Sequence, residues 1–437
     1  MAIFGGTDTL APMANFDASL RAIPQLCRDR ALYLWAALAT PPIAQFAHYL
    51  DPTTPLFKGQ AGGVIFALAG LLVAVSLWIP FRKSVTWPRV SIYAMILILV
   101  AWVYAVLRLQ FGGDTFDLTA FCVPVVVLLI MMKPPNGRDV VGASLLFSYL
   151  LIASAMASLA LDSAGLVSSG FDGAMTGYSR IPFIGHFFAL DTRWQGPFGN
   201  VNYAGPVGAF LIVYGATVKS WHRVILITSG VGIVLLSQAR GAIFALFAGL
   251  VVLLAFSSSI QRLRRPWVAR LVIFGGFILA GAAYIGLTDS TMSGRTGVWT
   301  DFLTLWKSSP LIGVGDGGIA RYVAEGGGDT TFSRHFHGHS VYIDTLTRGG
   351  VLLLVLLLAF TICIGIVGFR AASLGRPASL ALLVLVVVGG LAETVYSIAY
   401  LSIHLVPLLI ALMLGSAALS KPTPSLASPQ IKYTNDG

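Results

Sequence analysis

The stretch HFHGHSVYIDTLTRGG, residues 335–350, runs directly into the apolar segment VLLLVLLLAFTICIGIVGF, residues 351–369. The apolar segment is long enough to cross the hydrocarbon core of a bilayer, which takes about 20 residues of helix. Lipid offers the backbone no hydrogen-bond partners, so this apolar run is stable in lipid when it forms a helix. The two stretches together predict a transmembrane helix with titratable groups gathered before its first turn.

The rest of the chain has the same character. Its 437 residues are 56% hydrophobic and 11% charged, whereas a soluble domain carries about 25% charged residues. We therefore predict an all-α polytopic membrane protein with about twelve transmembrane helices in a single bundle. The predicted spans are 31–50, 62–80, 91–108, 117–132, 139–161, 201–218, 223–238, 241–257, 269–287, 350–369, 377–395 and 400–419.

The charges between the spans predict the orientation. With a cytoplasmic N-terminus, the inner segments hold 18 Lys and Arg against 5 Asp and Glu, and the outer segments hold 10 against 13. Cytoplasmic loops are rich in Lys and Arg, so both termini should be cytoplasmic. The net charge of +10 then reflects topology and an anionic lipid bilayer, not nucleic acid. This gives a cytoplasmic segment 1–30, a bundle 31–419 and a disordered cytoplasmic tail 420–437.

Two outer segments are long, 162–200 and 288–349, and long ordered loops tend to carry function. Within the second, residues 295–306 place apolar side chains at helical spacing, which predicts an amphipathic helix. Its tryptophans suit either the membrane interface or packing on the bundle. The apolar stripe comprises Val298, Trp299, Phe302, Leu303 and Trp306.

Three arginines in the outer segments are candidates for an anion site. Arg240 lies between two apolar spans with almost no loop, where a cation is costly unless it has a function or a partner. Snorkelling to the interface is the alternative. Arg295 opens the amphipathic helix, and Arg193 precedes the span at 201. The planar guanidinium donates paired hydrogen bonds to a phosphate.

The histidines allow two chemistries. His335, His337 and His339 alternate, so an extended backbone would place them on one face as metal ligands. No paired-cysteine or HExxH motif supports a metal, and we predict none. A neutral imidazole can also act as a general base, and His339 is the best placed. Glu393 is either a rival base or an ion-pair partner for an arginine.

Four segments in this order resemble the O-antigen ligase family, within the O-antigen ligase and polymerase superfamily of bacterial membrane glycosyltransferases. Ligases of this family show a His followed by Asn, Ser or Gln, then nine residues, then Gly. His339, Ser340 and Gly350 fit that spacing, although Leu353 departs from the Gly, Thr or Tyr that follows. The four segments are RWQGPFGNVNYAG at 193–205, SQARGA at 237–242, SGRTGVWTDFLTLWKSSPLIGVG at 293–315 and HSVYIDTLTRGG at 339–350.

The resemblance implies an inverting, metal-independent transfer without a cofactor on the periplasmic side of the bacterial inner membrane. The donor would be an O-antigen on undecaprenyl diphosphate, and the acceptor a sugar hydroxyl of lipid A–core. His339 would be the catalytic base, with the donor diphosphate bound by Arg240, Arg295 and Arg193. Supporting roles are open for His337, Arg348, Tyr342, Asn202 and Glu393. An O-antigen polymerase and a lipid-linked glycan transporter are the alternatives.

Overall fold

A computed structural model describes residues 32–50, 85–111, 122–166, 171–172, 193–219, 221–287, 295–327, 337–393, 398 and 402–422. Helices dominate these ranges. The transmembrane-type helices and their connections are, in chain order, α1 Leu32–Leu50, α2 Arg89–Phe111, α3 Cys122–Met132, α4 Gly137–Ser163, α5 Val201–Thr217, α6 Trp221–Ser237, α7 Arg240–Ala255, α8 Ser258–Gln261, α9 Pro266–Leu287, α10 Arg295–Trp306, α11 Gly315–Ala324, α12 Val341–Ser373, α13 Ala378–Ala392 and α14 Val406–Leu419.

Short extended pieces join distant parts of the chain. A pair of two-residue strands, β1 Val85–Thr86 and β4 Lys421–Pro422, is antiparallel and links the start of α2 to the end of α14. A second antiparallel pair joins β2 Phe171–Asp172 to β3 Arg193–Trp194, just before α5. Apart from 420–422, the predicted tail lies outside the described residues, as does the N-terminal segment 1–30.

The helices agree with the predicted all-α membrane class. Within the described ranges, α2, α4 and α12 are long and apolar enough to cross a membrane. The predicted span 62–80 lies outside the described residues, and each other predicted span coincides with a helix. The total of twelve crossings stays a prediction. The shorter apolar helices α7 and α13 have 16 and 15 residues, which suits a crossing where the bilayer is locally thin.

Glycines let α5 and α6 cross at close range. A methyl group on Gly208 would lie 2.7 Å from the Gly230 carbonyl oxygen, and one on Gly230 would lie 2.7 Å from the Gly208 carbonyl oxygen. In lipid, helices gain stability from such close backbone packing, since apolar side chains gain nothing by leaving the lipid tails. The α5–α6 pair therefore forms a rigid base for the loop that follows α6.

Helix α14 lies at the centre of the bundle. Its residues from Val406 to Met413 are all buried, and it packs on α12, α13 and α4. A helix that is apolar on every side is stable only when protein or lipid surrounds it completely. The surrounding helices are tied to it by polar contacts as well, since the Ser379 hydroxyl donates to the Ala411 carbonyl at 2.7 Å.

The bundle has two chemically different ends. At one, which we call the site end, the end of α6 and the start of α7 lie near the end of α13 and the start of α12. At the other, which we call the basic end, arginines cluster on the helix ends and connections. They include Arg138, Arg223, Arg262, Arg264, Arg265, Arg370 and Arg376.

Helix α12 is broken at Gly350, where φ is 69° and ψ is −172°. The break separates a short first segment, 341–349, from the long apolar one, so the span predicted from 350 begins at the break. Residues 310–314 fill the gap: the Val314 amide donates to the Thr347 carbonyl at 2.8 Å, and the Val351 amide donates to the Pro310 carbonyl at 3.0 Å. Backbone groups released by the break thus find partners, as burial requires.

We expect Gly350→Ala to destabilise the protein. The φ and ψ angles of Gly350 lie in a region that is essentially restricted to glycine, which costs another residue about 1–3 kcal/mol. The added methyl would also lie 2.2 Å from the Leu311 carbonyl oxygen. Thermal unfolding in detergent should show a midpoint several degrees lower, and residues 310–314 should become more sensitive to protease. Gly232→Ala in α6 is the matched control, because its methyl would meet nothing within 4 Å. Equal midpoints for the two variants would contradict this account.

Candidate functional site

The turn before α12 is built to present His339. Its backbone is left-handed, with φ of 46°, a conformation that histidine adopts more readily than most non-glycine residues. The Gly338 amide donates to Asp344 Oδ1 at 3.1 Å, which closes the turn onto the first turn of α12. The Ser340 hydroxyl donates to the Gly390 carbonyl at 3.3 Å, so the turn is fastened to the end of α13.

That fastening brings His339 to Glu393, which leaves the helical conformation directly after α13. His339 Nδ1 lies 3.3 Å from Glu393 Oε2. The other carboxylate oxygen forms an ion pair with Nη2 of Arg295, the first residue of α10. One carboxylate therefore joins three elements that are far apart in the sequence.

The carboxylate of Glu393 is buried, with 4% of the residue exposed. A buried charge is tolerated when it is paired and hydrogen-bonded, and here both oxygens have partners. Because Nδ1 of His339 faces Glu393, the opposite ring nitrogen, Nε2, is on the edge of the imidazole that points away from it. A carboxylate on one nitrogen orients the ring and fixes which nitrogen can accept a proton. The arrangement is that of an oriented general base.

A second ion-pair group holds the outer helices against this turn. Arg348 Nε donates to Asp344 Oδ2 at 2.9 Å, one turn earlier on α12, and Arg348 also pairs with Asp316 of α11. Asp344 thus serves both Arg348 and the Gly338 amide. Arg348, which the sequence indicates as a supporting residue, connects α11 to the His339 turn.

The predicted amphipathic helix is α10, and its packing is now visible. Val298 and Phe302 are buried and form a small apolar cluster with Ile319 of α11, while the Thr347 hydroxyl donates to the Phe302 carbonyl at 3.1 Å. Of the two predicted alternatives, the contacts favour packing on the bundle. This packing positions Arg295 beside Glu393.

A strained turn carries Arg240 at the same end of the bundle. Gln238 has φ of 50°, and within the described ranges it shares a positive φ with one other non-glycine residue, His339. Such strain persists where the surrounding structure holds it, often at functional sites. Arg240 follows as the exposed first residue of α7, and Ala239 before it gives the helix no side-chain cap. The first amides of α7 therefore have no side-chain cap and belong to the turn that carries the Arg240 guanidinium.

Arg193 forms hydrogen bonds to the backbone of this turn. Its Nε donates to the Ser237 carbonyl at 2.9 Å, and its Nη2 lies 3.4 Å from the Gln238 carbonyl and 3.3 Å from Asn202 Oδ1. These contacts place Arg193 and Asn202 together beside the turn that carries Arg240. Arg193 therefore holds the backbone of the turn, and Asn202 holds the Arg193 guanidinium.

The remaining predicted residues lie around the same turn. The rings of His337 and His339 pack at 4.4 Å between centroids, and the Tyr342 hydroxyl donates to the Val387 carbonyl of α13 at 3.0 Å. His335 lies outside the described residues. Among the described residues, no three His, Cys, Asp or Glu side chains come together as a set of metal ligands.

Three residues at this end escaped sequence reasoning. Gln238 is 1% exposed, and neither polar atom of its amide has a hydrogen-bond partner. Tyr203 and His404 lie with their rings 5.3 Å apart. Both of these rings belong to stretches that look like ordinary membrane spans, and the one available signal was the polar character of His404 in an apolar run.

The fold and the site define the class of protein: a multi-pass, all-α membrane protein with polar groups assembled at one end of its bundle. A comparison with protein families shows which family part of the chain resembles. Residues 224–358 match the family model described as O-antigen ligase, a range that includes Arg240, Arg295 and His339. This part of the chain is therefore similar to the O-antigen ligase family, in agreement with the resemblance that the motifs indicated. No curated protein matches the chain.

A double-mutant cycle tests the ion pair between Arg295 and Glu393. Arg295→Met should destabilise the protein because it leaves the buried Glu393 carboxylate without its charged partner, and Glu393→Gln should do so because it removes the charge that pairs with Arg295. The double variant should lose less than the sum, with a coupling free energy on the order of 1–3 kcal/mol. Thermal or denaturant unfolding in detergent measures the three variants against the wild type.

The control cycle replaces Arg295→Met with Arg376→Met. Arg376 lies at the basic end and donates to the Ala418 carbonyl at 3.1 Å, so its effect should add to that of Glu393→Gln. Additive effects in the Arg295 cycle would show that the ion pair does not form in the folded protein.

Proposed function

We propose that the protein is an O-antigen ligase, which transfers a glycan from undecaprenyl diphosphate to a sugar hydroxyl of lipid A–core. The observation that carries the proposal is the contact of Glu393 with both His339 and Arg295 at the site end. His339 and Arg295 belong to the stretch that matches the family model. The coarser statement, a membrane enzyme of the O-antigen ligase and polymerase family, rests on that match.

His339 acts as the general base. The acceptor hydroxyl attacks the anomeric carbon of the donor glycan and gives its proton to His339 Nε2. Glu393 accepts the Nδ1 hydrogen and stabilises the positive charge that the ring acquires. This pairing makes Glu393 an orienting group for the base instead of a second base.

The arginines stabilise the leaving group. As the new glycosidic bond forms, the bond from the anomeric carbon to the phosphate oxygen breaks, and undecaprenyl diphosphate departs with that electron pair. Arg240 and Arg295 bind its oxygens, and the uncapped first turn of α7 adds amide donors. Attack on the face opposite the diphosphate inverts the anomeric centre. No step in this scheme needs a metal ion or a cofactor.

The supporting residues have structural roles in this scheme. Arg193 and Asn202 hold the turn that carries Arg240, and Arg348 links α11 to the His339 turn. Tyr342 fastens α12 to α13, and His337 packs against the catalytic ring. Each therefore acts through the position of a neighbour, although Arg193 is near enough in the fold to extend the anion site.

The orientation follows from the two ends of the bundle. The basic end faces the cytoplasm by the positive-inside rule, so the site end faces the periplasm of a bacterial inner membrane. Both substrates are held by lipid anchors in that bilayer, and a site at its outer surface meets their head groups without extracting them. The twelve predicted crossings and cytoplasmic termini agree with this orientation.

A transfer assay with purified protein tests the proposal. Wild type should join the glycan of undecaprenyl-diphosphate-linked O-antigen to lipid A–core in the presence of EDTA. His339→Ala should lose at least about 100-fold of the rate, the scale of general base catalysis. Gel analysis of the lipid A–core product measures both. His222→Ala, at the opposite end of the bundle, is the matched control and should keep the wild-type rate.

The products decide among the alternatives. Lengthening of the donor glycan without modification of lipid A–core would identify a polymerase. Donor binding without any product would favour a transporter, and loss of activity in EDTA would contradict the metal-free scheme.

Lysine variants test how the arginines bind. Arg240→Lys and Arg295→Lys keep the positive charge but lose the planar pair of donors. We expect the transfer rate of each to fall by about 10-fold or more, because hydrogen bonds to charged groups contribute about 1.5–3 kcal/mol. Arg223→Lys at the basic end is the control and should be silent. Full activity in both site variants would show that charge alone suffices.

A further inference from the structure

The hydroxyl of Tyr203 differs from those of the other enclosed tyrosines. The described residues give it no hydrogen-bond partner, although Tyr203 is half-buried. Elsewhere in the described ranges, the phenol oxygen has a partner in Tyr33, Tyr49, Tyr104, Tyr149, Tyr214 and Tyr342. Because Tyr203 is only half-buried, its hydroxyl can donate a hydrogen bond to a molecule that binds beside it.

Tyr203 lies within electrostatic range of Glu393, Asp344 and Arg348. Tyr203 therefore lies near the His339 turn and the end of α13, and its helix α5 packs directly on α13. The nearby carboxylates do not need its hydrogen, because Glu393 is engaged by Arg295 and His339, and both oxygens of Asp344 have partners. The hydroxyl is thus a hydrogen-bond donor near the site that these carboxylates do not engage.

The ring of Tyr203 is held in place by His404. The two ring centroids are 5.3 Å apart at an interplanar angle of 56°, and His404 is 9% exposed. Its Nε2 has no hydrogen-bond partner, and its ring also lines an apolar cavity beside Pro206 and Pro407. Packing against a buried ring limits where the phenol can move, which preorganises the hydroxyl for a ligand.

We propose that Tyr203 is a further substrate-binding residue, whose hydroxyl donates a hydrogen bond to a phosphate oxygen of the lipid diphosphate donor. This inference rests on the proposed function. A phosphate oxygen accepts hydrogen bonds without donating any, so it suits a neutral phenol. A cation at this position would instead be drawn to Glu393. Tyr203 therefore adds a donor to the anion site without disturbing the pair that orients His339.

The test compares Tyr203→Phe with Tyr214→Phe. The first removes the unmatched hydroxyl and keeps the ring that packs on His404. The second removes a hydroxyl from the same helix, where it donates to the Val141 carbonyl at 3.2 Å. Binding of undecaprenyl diphosphate and of lipid A–core to each protein in nanodiscs is measured beside the transfer rate and the unfolding midpoint.

We expect Tyr203→Phe to weaken the binding of undecaprenyl diphosphate by roughly 10- to 100-fold, the value of a hydrogen bond to a charged group. Its binding of lipid A–core should stay at the wild-type level, and Tyr214→Phe should bind both lipids normally. Normal diphosphate binding by Tyr203→Phe overturns the inference while leaving the ligase proposal intact, as does a loss confined to lipid A–core. Failure of the wild type to bind undecaprenyl diphosphate instead overturns the proposed function itself.

Discussion

The site depends on one buried carboxylate. A charge placed at the edge of a hydrocarbon environment is stable only if it is paired, and the Glu393 carboxylate meets that requirement with an arginine from α10 and a histidine from the turn before α12. Each partner needs its own helix in place. Glu393 is therefore neutralised only when α10, α12 and α13 pack in this arrangement. The same arrangement orients the imidazole.

Closely packed helices lie next to the two turns that have a strained backbone. Glycines bring α5 and α6 into backbone contact, and the turn that leaves α6 holds Gln238 in a left-handed conformation. On the facing side, hydrogen bonds from Gly338 and Ser340 hold His339 in the same unusual region. Turns of this kind are populated when their surroundings over-determine them, so the packed helices and the strained turns are parts of one arrangement.

Much of the architecture was readable from the sequence because lipid imposes simple rules. Apolar length predicted the helices, and the cost of a cation near the hydrocarbon drew attention to Arg240. The spacing from His339 to Gly350 matched a family pattern. The pairing of Arg295 with Glu393 was not readable, since 98 residues separate them and several arginines were equally suitable partners. Tyr203 was missed for a related reason, because an aromatic residue in an apolar span resembles ordinary core.

The break in α12 also decides which pieces of the chain can be exchanged with relatives. Residues 310–314 share backbone hydrogen bonds with 347–352. The two segments therefore behave as one structural unit, although they are separated in the sequence. A chimera that replaces residues 310–314 alone would separate two segments whose backbones are hydrogen-bonded to each other. A boundary placed before α10 and after the break would keep both segments and the backbone hydrogen bonds between them together.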